Sequence, residues 1–276
     1  MPTAVISDVH ANAAALKVVL ADIAARGLSR IICLGDTVGY GPDPLECVDL
    51  VRERCAWCLM GNHDYGVLYE PTNFNPAAEM AAFWTRDQFD LEPNDALRAE
   101  RYKFLNQLKV RVAERIGPNG AEPASNGNGA EIPADGPRVP LLAVHGSPRK
   151  PINEYIFPED ATNNADKMES IFDRIPQICM VGHTHVPGVF TDEPDFYPPT
   201  ELGEHGYSFQ PVEKAVINVG SVGQPRDGDP RASYVVLHAD RVEFVRLAYD
   251  VESTAKKIKS IPKLPEYNAD RLYVGR

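Results

Sequence analysis

Long apolar runs are missing from this chain. No stretch of its 276 residues approaches the ~18 consecutive apolar residues that a membrane span requires. The opening MPTAVISD has neither a basic leader nor an extended apolar core, so no secretory signal is expected. Cysteine is sparse and odd in number: Cys33, Cys47, Cys55, Cys58 and Cys179. An odd count, with three of the five in apolar runs, argues against a disulfide framework and for reduced thiols in a cytoplasmic protein. Cys55-Ala56-Trp57-Cys58 is formally a C-x-x-C, but no second pair accompanies it, and it reads as two small residues at a strand. Positive charge is also short. Lys and Arg number 28 against 39 Asp and Glu, a net charge of -11, and such a surface repels polymeric nucleic acid and anionic lipid. A small anionic substrate stays compatible with it, provided the site itself concentrates positive charge. Internal repeats are absent.

What is present reads as an α/β chain, expected to form a single domain over 1–276. Thr3 to Ser7 is a short β-type run, and Asn12 to Arg26 has helical spacing with Gly27 as a stop. Ile31 to Leu34 is a second strand, a helix opens at Pro42-Asp43-Pro44 and runs to about Glu53, and Ala56 to Met60 is a third strand. Strand, helix, strand, helix, strand predicts βαβ units and a parallel start to the sheet. Pro76 to Phe89 and Asp95 to Leu108 read as amphipathic helices, and Lys109 to Ile116 as a half-exposed strand. Residues 117–137 are rich in Gly, Pro, Asn and Ala and read as a mobile loop insertion without a catalytic role. Further strands are expected over Val139–Val144, Ile178–Val181, Ala215–Val219, Ser233–His238 and Val242–Tyr249, with helices over Ala161–Phe172 and near Lys256. Asp192 to Pro211 reads as an irregular insertion whose Phe196, Tyr197 or Tyr207 would line a cleft.

Five predicted strands end in the same kind of chemistry. The first runs into Asp8-Val9-His10, the second into Gly35-Asp36 and the third into Asn62-His63-Asp64. The strand at 139–144 ends in His145, and that at 178–181 in His183-Thr184-His185. One such ending is ordinary turn or partial-core chemistry. Five together would crowd carboxylates and imidazoles at one sheet edge, because sites in such sheets form at the carboxyl ends of strands. Unpaired buried charge costs several kcal/mol, on the order of that expected for each ion, and divalent cations remove the cost. The ligand count points to two ions. Imidazole, carboxylate and carboxamide without thiolate suit manganese, iron, zinc, cobalt or nickel. Asp36 is the natural bridge. Two divalent ions less the charges of Asp8 and Asp36 leave a centre of about +2, which attracts a phosphoryl group even on an acidic protein.

The ordered set D-x-H, G-D, G-N-H-D, H-G and G-H-T-H resembles the calcineurin-like metallophosphoesterase superfamily. SDVHAN, CLGDTVGYGPDP, VHGSPR and NVGSVGQPRDGDPRASY are similar to its compact bacterial and archaeal phosphodiesterase branch. The resemblance spans nearly the whole chain. It implies a four-layer α/β/β/α sandwich with two mixed β-sheets. It implies that Asp8, His10 and His185 hold one metal and Asn62, His145 and His183 the other, with Asp36 shared. It also implies that His63 is the general acid, aimed by Asp64, and that a metal-bridging hydroxide attacks phosphorus in line. Asn12 is either a donor to substrate phosphate or the cap of the first helix, and Arg149 either a substrate contact or a solvated loop residue. Arg226 and Asp227 read as supporting turn residues.

Two departures bear on the substrate. Gly39-Tyr40-Gly41 stands where the Ser/Thr phosphatases of the superfamily carry Asp-Arg-Gly, and Asp64 stands where they carry Glu. A phosphodiesterase acting on a small phosphorylated molecule is therefore expected. The alternatives are a phosphomonoesterase or protein phosphatase, a catalytically silent scaffold of the same fold, and a dinuclear amidohydrolase. The full ligand set argues against the scaffold, and the absence of a bridging-lysine context against the amidohydrolase.

Overall fold

A computed structural model of the chain describes residues 2–117, 120–123, 139–193 and 195–276. The strands are β1 (Thr3–Ile6), β2 (Arg30–Cys33), β3 (Trp57–Cys58), β4 (Arg111–Gly117), β5 (Gly120–Pro123), β6 (Val139–Val144), β7 (Ile178–Val181), β8 (Gly188–Thr191), β9 (Asp195–Tyr197), β10 (Tyr207–Ser208), β11 (Ala215–Asn218), β12 (Ala232–Leu237) and β13 (Arg241–Leu247). The helices are α1 (Ala13–Ala25), α2 (Pro44–Arg54), α3 (Asn62–Leu68), α4 (Pro76–Asp90), α5 (Asp95–Asn106), α6 (Asp160–Asn163), α7 (Ala165–Phe172), α8 (Val251–Lys259) and α9 (Tyr267–Asp270). One sheet has the order β10-β13-β12-β1-β2-β3 and the other β5-β4-β6-β7-β11-β8-β9. Parallel pairs join β1 to β2, β2 to β3, β6 to β7 and β7 to β11, and the remaining pairs are antiparallel, so both sheets are mixed.

The four layers follow from strand parity. Ala4 and Ile6 of β1 pack with Leu16, Val19 and Ile23 of α1, whereas Val5, between them, faces the second sheet with Ile32 and Val235. Successive side chains of a strand point to opposite faces. A strand covered on both faces is therefore buried along its whole length and almost wholly apolar, as β1, β7 and β11 are. Leu141, Ala143, Ile178, Met180 and Ile217 supply the facing half of the inter-sheet core. Leu142, Val144, Cys179 and Val181 turn the other way and meet Met168 and Ile171 of α7. A fully buried Leu, Ile or Val side chain contributes roughly 1.5–3 kcal/mol relative to exposure, so the three clusters hold the layers together.

Several expectations are refined. The third strand shrinks to two residues, because Gly61 already caps α3, a helix absent from the sequence reading. The helix expected at 161–172 is split at Asn164. Within the segment read as a loop, Gly120–Pro123 pairs antiparallel with β4, and most of the rest of 117–137 lies outside the described residues. The insertion at 192–211 is not irregular throughout. Its β9 extends one sheet and its β10 the other. Phe196 packs on Phe190 and Tyr207 donates to Glu213, so neither lines the cleft expected for them. All five cysteines are free, and burial pushes the Cys47, Cys55 and Cys58 thiols up, which leaves them neutral. Among the described residues no helix is long and apolar enough to cross a membrane.

Candidate metal centre

Asp8 follows β1, Asp36 follows β2, Asn62 and His63 follow β3, His145 follows β6, and His183 and His185 follow β7. All are carboxyl ends of strands, and the two sheets bring them to one point. Asp8, His10, Asp36, His183 and His185 adopt φ of 53°, 47°, 53°, 65° and 63°. This left-handed region is uncommon for residues with a side chain and costs of the order of ~1–3 kcal/mol at each such position. The strain turns each polar side chain back toward the strand ends, where it would otherwise continue the loop.

Three of the imidazoles are aimed by backbone carbonyls. His10 Nδ1 donates to Val38 O at 3.1 Å, His145 Nδ1 to Leu34 O at 3.0 Å and His185 Nδ1 to Gln224 O at 2.6 Å. A carbonyl only accepts, so these contacts put a proton on Nδ1 and turn Nε2 to the interior. There His10 Nε2 lies 3.0 Å from His185 Nε2, and His185 Nε2 lies 3.1 Å from Asp8 Oδ1. His145 Nε2 is 3.3 Å from both Asp36 Oδ2 and Asn62 Oδ1. Asn218 Nδ2 holds the turn that carries His183, donating to Gly182 O at 2.8 Å.

Ligand atoms of Asp8, His10 and His185 lie within 4.8 Å of one another, as do those of Asp36, His145 and His183. A third, overlapping group is His10, Asp36 and His63. Every member is buried. Asp36 Oδ2 and His183 Nε2 have no hydrogen-bond partner. Orphaned buried acceptors are costly, and a divalent cation is the species that satisfies a carboxylate and a neutral imidazole together. The electrostatics agree. Burial alone would lower His145, yet Asp36 and Asp8 raise it to about 10. Burial, with Asp36 adding, pushes Asp64 up to about 7 against the backbone amides that it accepts from. The His145 shift marks the negative field of Asp36 and Asp8 around that ring. This donor set fits divalent metal.

His63 sits at the edge of the cluster. Its ring contacts those of Tyr40, Phe74 and His10 at 4.4, 4.7 and 4.8 Å between centroids. Its Nδ1 is buried without a partner. Burial lowers its pKa to about 4, with Asp36 opposing and Arg226 adding. Gly39, at φ 91°, is required beside it, since a Cβ there would lie 2.2 Å from His63 Nδ1.

The structure gives Asp64, Asn12 and Arg149 the following partners. Asp64 does not aim the His63 ring. Its Oδ2 accepts from Asp36 N at 2.8 Å and Gly61 N at 3.0 Å, and its Oδ1 from Thr37 N at 3.0 Å, so both oxygens are spent on backbone. Asn12 is a cap and brace. Its Oδ1 accepts from Ala15 N and Thr254 Oγ1, and its Nδ2 donates to Gly223 O and Tyr249 Oη, which leaves no free donor for phosphate. Arg149 is turned back by the Ser147 loop toward Glu154, 3.4 Å away. The arginine whose charge reaches His63 and His185 is instead Arg226. The sequence reading also missed Tyr40, Phe74 and Tyr155. Tyr155 stacks on His183 at 3.8 Å and 19°. With Asn62, Asn73, Asn153 and His183 these aromatics line a cleft of about 270 Å³ against the centre. Glycines on both sides of Tyr40 were the available signal for it.

Two mixed sheets and a buried carboxylate–imidazole cluster at their strand ends define a metal-dependent hydrolase of the phosphoesterase type. Residues 1–241 match the calcineurin-like phosphoesterase superfamily domain, and the chain belongs to that superfamily of metal-dependent phosphoesterases. It is 36% identical over 278 residues to an uncharacterized protein of Methanocaldococcus jannaschii, MJ0912, covering 99% of this chain and 98% of that one. The crystal structure of a metallophosphoesterase from Sphaerobacter thermophilus is likewise 36% identical, with a TM-score of 0.74, covering 100% of this chain and 99% of that one. The fold is shared with a protein of Pyrococcus horikoshii OT3, PH1004, at 17% identity and a TM-score of 0.69, with 100% and 98% covered.

Proposed function

We propose that the chain is a dinuclear phosphoesterase that hydrolyses a small phosphodiester. The carrying observation is the convergence of Asp8, His10, Asp36, Asn62, His145, His183 and His185 around the orphaned Asp36 Oδ2 and His183 Nε2. Asp8, His10 and His185 would hold one cation, Asn62, His145 and His183 the other, and Asp36 both. Bound divalent ions supply Lewis acidity toward the phosphoryl oxygens and make water acidic enough to attack.

The chain's own residues do the rest. Neutral Nε2 atoms are presented by the carbonyl-bound imidazoles without further reorganisation. His63 carries the proton for the leaving alkoxide. An anionic phosphoryl group arriving beside it favours the imidazolium form, and burial, which lowers its pKa to about 4, makes that imidazolium a strong acid. Phe74 and Tyr155 offer apolar walls on which an organic substituent of a diester can lie. On this reading Asp64 and Asn12 act outside the chemistry, as braces bonded to the backbone.

The test is turnover of bis- against mono-(p-nitrophenyl) phosphate with manganese, iron, zinc, cobalt and nickel, beside elemental analysis. The expected result is two ions per chain and a higher kcat/KM for the diester. Preference for the monoester would overturn the diester reading, and a single ion per chain the dinuclear one.

A further inference from the structure

The centre has a cationic rim that the chemistry above leaves unused. Arg226 lies in the loop after β11, and Arg271 lies just beyond α9. The Cζ of Arg226 is 5.7 Å from the centroid of the Tyr40 ring, and that of Arg271 is 6.0 Å from the same ring. Tyr40 in turn contacts His63 and His10, at 4.4 and 4.8 Å between centroids. Two guanidinium groups therefore share one aromatic ring that touches the imidazoles of the site. Arg226 also sits beside the Tyr155 hydroxyl at the edge of the cleft.

Neither arginine has a carboxylate side chain as ion-pair partner among the described residues. Arg226 Nη2 donates to Gln224 Oε1 at 2.8 Å, and its Nε is buried without a partner. Arg271 Nε donates to the main-chain oxygen of Arg276, the last residue of the sequence. The acids nearby are engaged elsewhere: Asp227 pairs with Arg246, and Asp229 with Arg231. The two like charges are held together by backbone. Gly228 N donates to Gly275 O at 2.9 Å, Arg226 N donates to His185 O at 3.1 Å, and Leu272 and Ala269 pack with Trp84 and Ile258. Burial and the charge of Arg226 lower Arg271 to about 10, so it is still a cation at neutral pH. Two guanidiniums gathered at one ring without a side-chain carboxylate gain when an anion lies beside them, and arginines suit the tetrahedral oxygens of phosphate.

We propose that Arg226 and Arg271 form a subsite for a second phosphate group of the substrate, remote from the phosphoryl group that is hydrolysed. This rests on the phosphoesterase reading and narrows it to a doubly phosphorylated substrate. Its organic part would lie along Tyr40 and the Phe74–Tyr155 cleft.

Isothermal titration of the metal-loaded protein with thymidine 5′-monophosphate and thymidine 3′,5′-bisphosphate tests it. The wild type is expected to bind the bisphosphate at least tenfold more tightly, an advantage that shrinks with added salt. Arg271→Gln and, separately, Arg226→Gln are expected to bring the affinity ratio close to one, and Arg226→Lys to keep part of it. Equal affinities in wild type, or a ratio unmoved by both glutamine variants, overturn the subsite. Should Arg271→Gln not fold, the two Arg226 variants decide. A protein that hydrolyses bis-(p-nitrophenyl) phosphate but shows a wild-type ratio near one fails only here. A protein that hydrolyses no ester fails the phosphoesterase reading instead.

Discussion

Asp64 Oδ2 accepts the backbone N–H of Asp36 at 2.8 Å and, with Oδ1, those of Gly61 and Thr37. One carboxylate thus ties the turn after β2 to the start of α3, and Asp36 is the residue it positions. Asp64→Asn replaces an acceptor with an amide group that opposes the donors. It is expected to destabilise the fold by about 1–3 kcal/mol and to weaken metal retention. Thermal melts and metal titration check this. A stable, metal-loaded but inactive Asp64→Asn would instead restore the role of aiming His63.

His63→Ala is expected to behave in the opposite way. The residue touches no carboxylate through its ring and sits at the rim of the ligand cluster. Its loss should leave metal content unchanged while kcat falls roughly 10²–10⁴-fold, the usual scale for removing a general acid. Elemental analysis beside bis-(p-nitrophenyl) phosphate turnover reads both quantities.

Two glycines with positive φ separate backbone strain from steric contact. Gly27, at φ 70°, has nothing within 4 Å of a built Cβ, whereas at Gly39 that Cβ would meet the His63 ring. Gly27→Ala is expected to cost about 1 kcal/mol of stability, the left-handed strain alone, with turnover unaltered. Gly39→Ala should cost more and should depress kcat by displacing His63. Denaturant melts and steady-state kinetics on the two variants make the comparison.

Asp160 provides a pH test away from the metals. It is nearly buried, and it accepts from Phe157 N at 2.7 Å, Asn164 Nδ2 at 2.6 Å and Lys167 Nζ at 2.5 Å. Lys167 also holds the Tyr155 carbonyl, at 2.8 Å. Burial alone would raise the Asp160 pKa, but Lys167 and the amide donors lower it below the ordinary 3.8. Its stabilising contribution is therefore full above about pH 4 and is lost as pH falls through the folded value. The stability difference between wild type and Asp160→Asn should be constant near neutrality and shrink toward pH 3. A difference that grows on acidification would contradict the assignment.

Much of the site was legible because its residues carry their chemistry in the side chain and sit directly after apolar runs. Asp8, Asp36, Asn62, His145 and His183 each follow a strand end by no more than four residues, so locating the strands located them. Helix α3 was not legible. It is seven residues long with Gly66 inside, and it is held by tertiary bonds: Asp64 at its start, and Arg86 donating to the carbonyls of Gly66, Val67 and Tyr69 at its end. The edge strands at 195–197 and 207–208 were missed for a related reason, since two or three residues pair only because an existing edge accepts them.

The sequence alone determined the α/β character of the chain, its opening βαβ units and the donor types at the strand ends, because apolar periodicity and ligand chemistry are local properties. Only the tertiary structure decided what each polar group does. Asn12, Asp64 and Arg149 look free along the chain but are already bonded, while Arg226, read along it as a turn residue, and Arg271 meet beside Tyr40 without a side-chain carboxylate. The reason is that a hydrogen bond or an ion pair depends on which partner the packing brings within about 3 Å, and partners far apart in the chain are invisible until the sheets have closed.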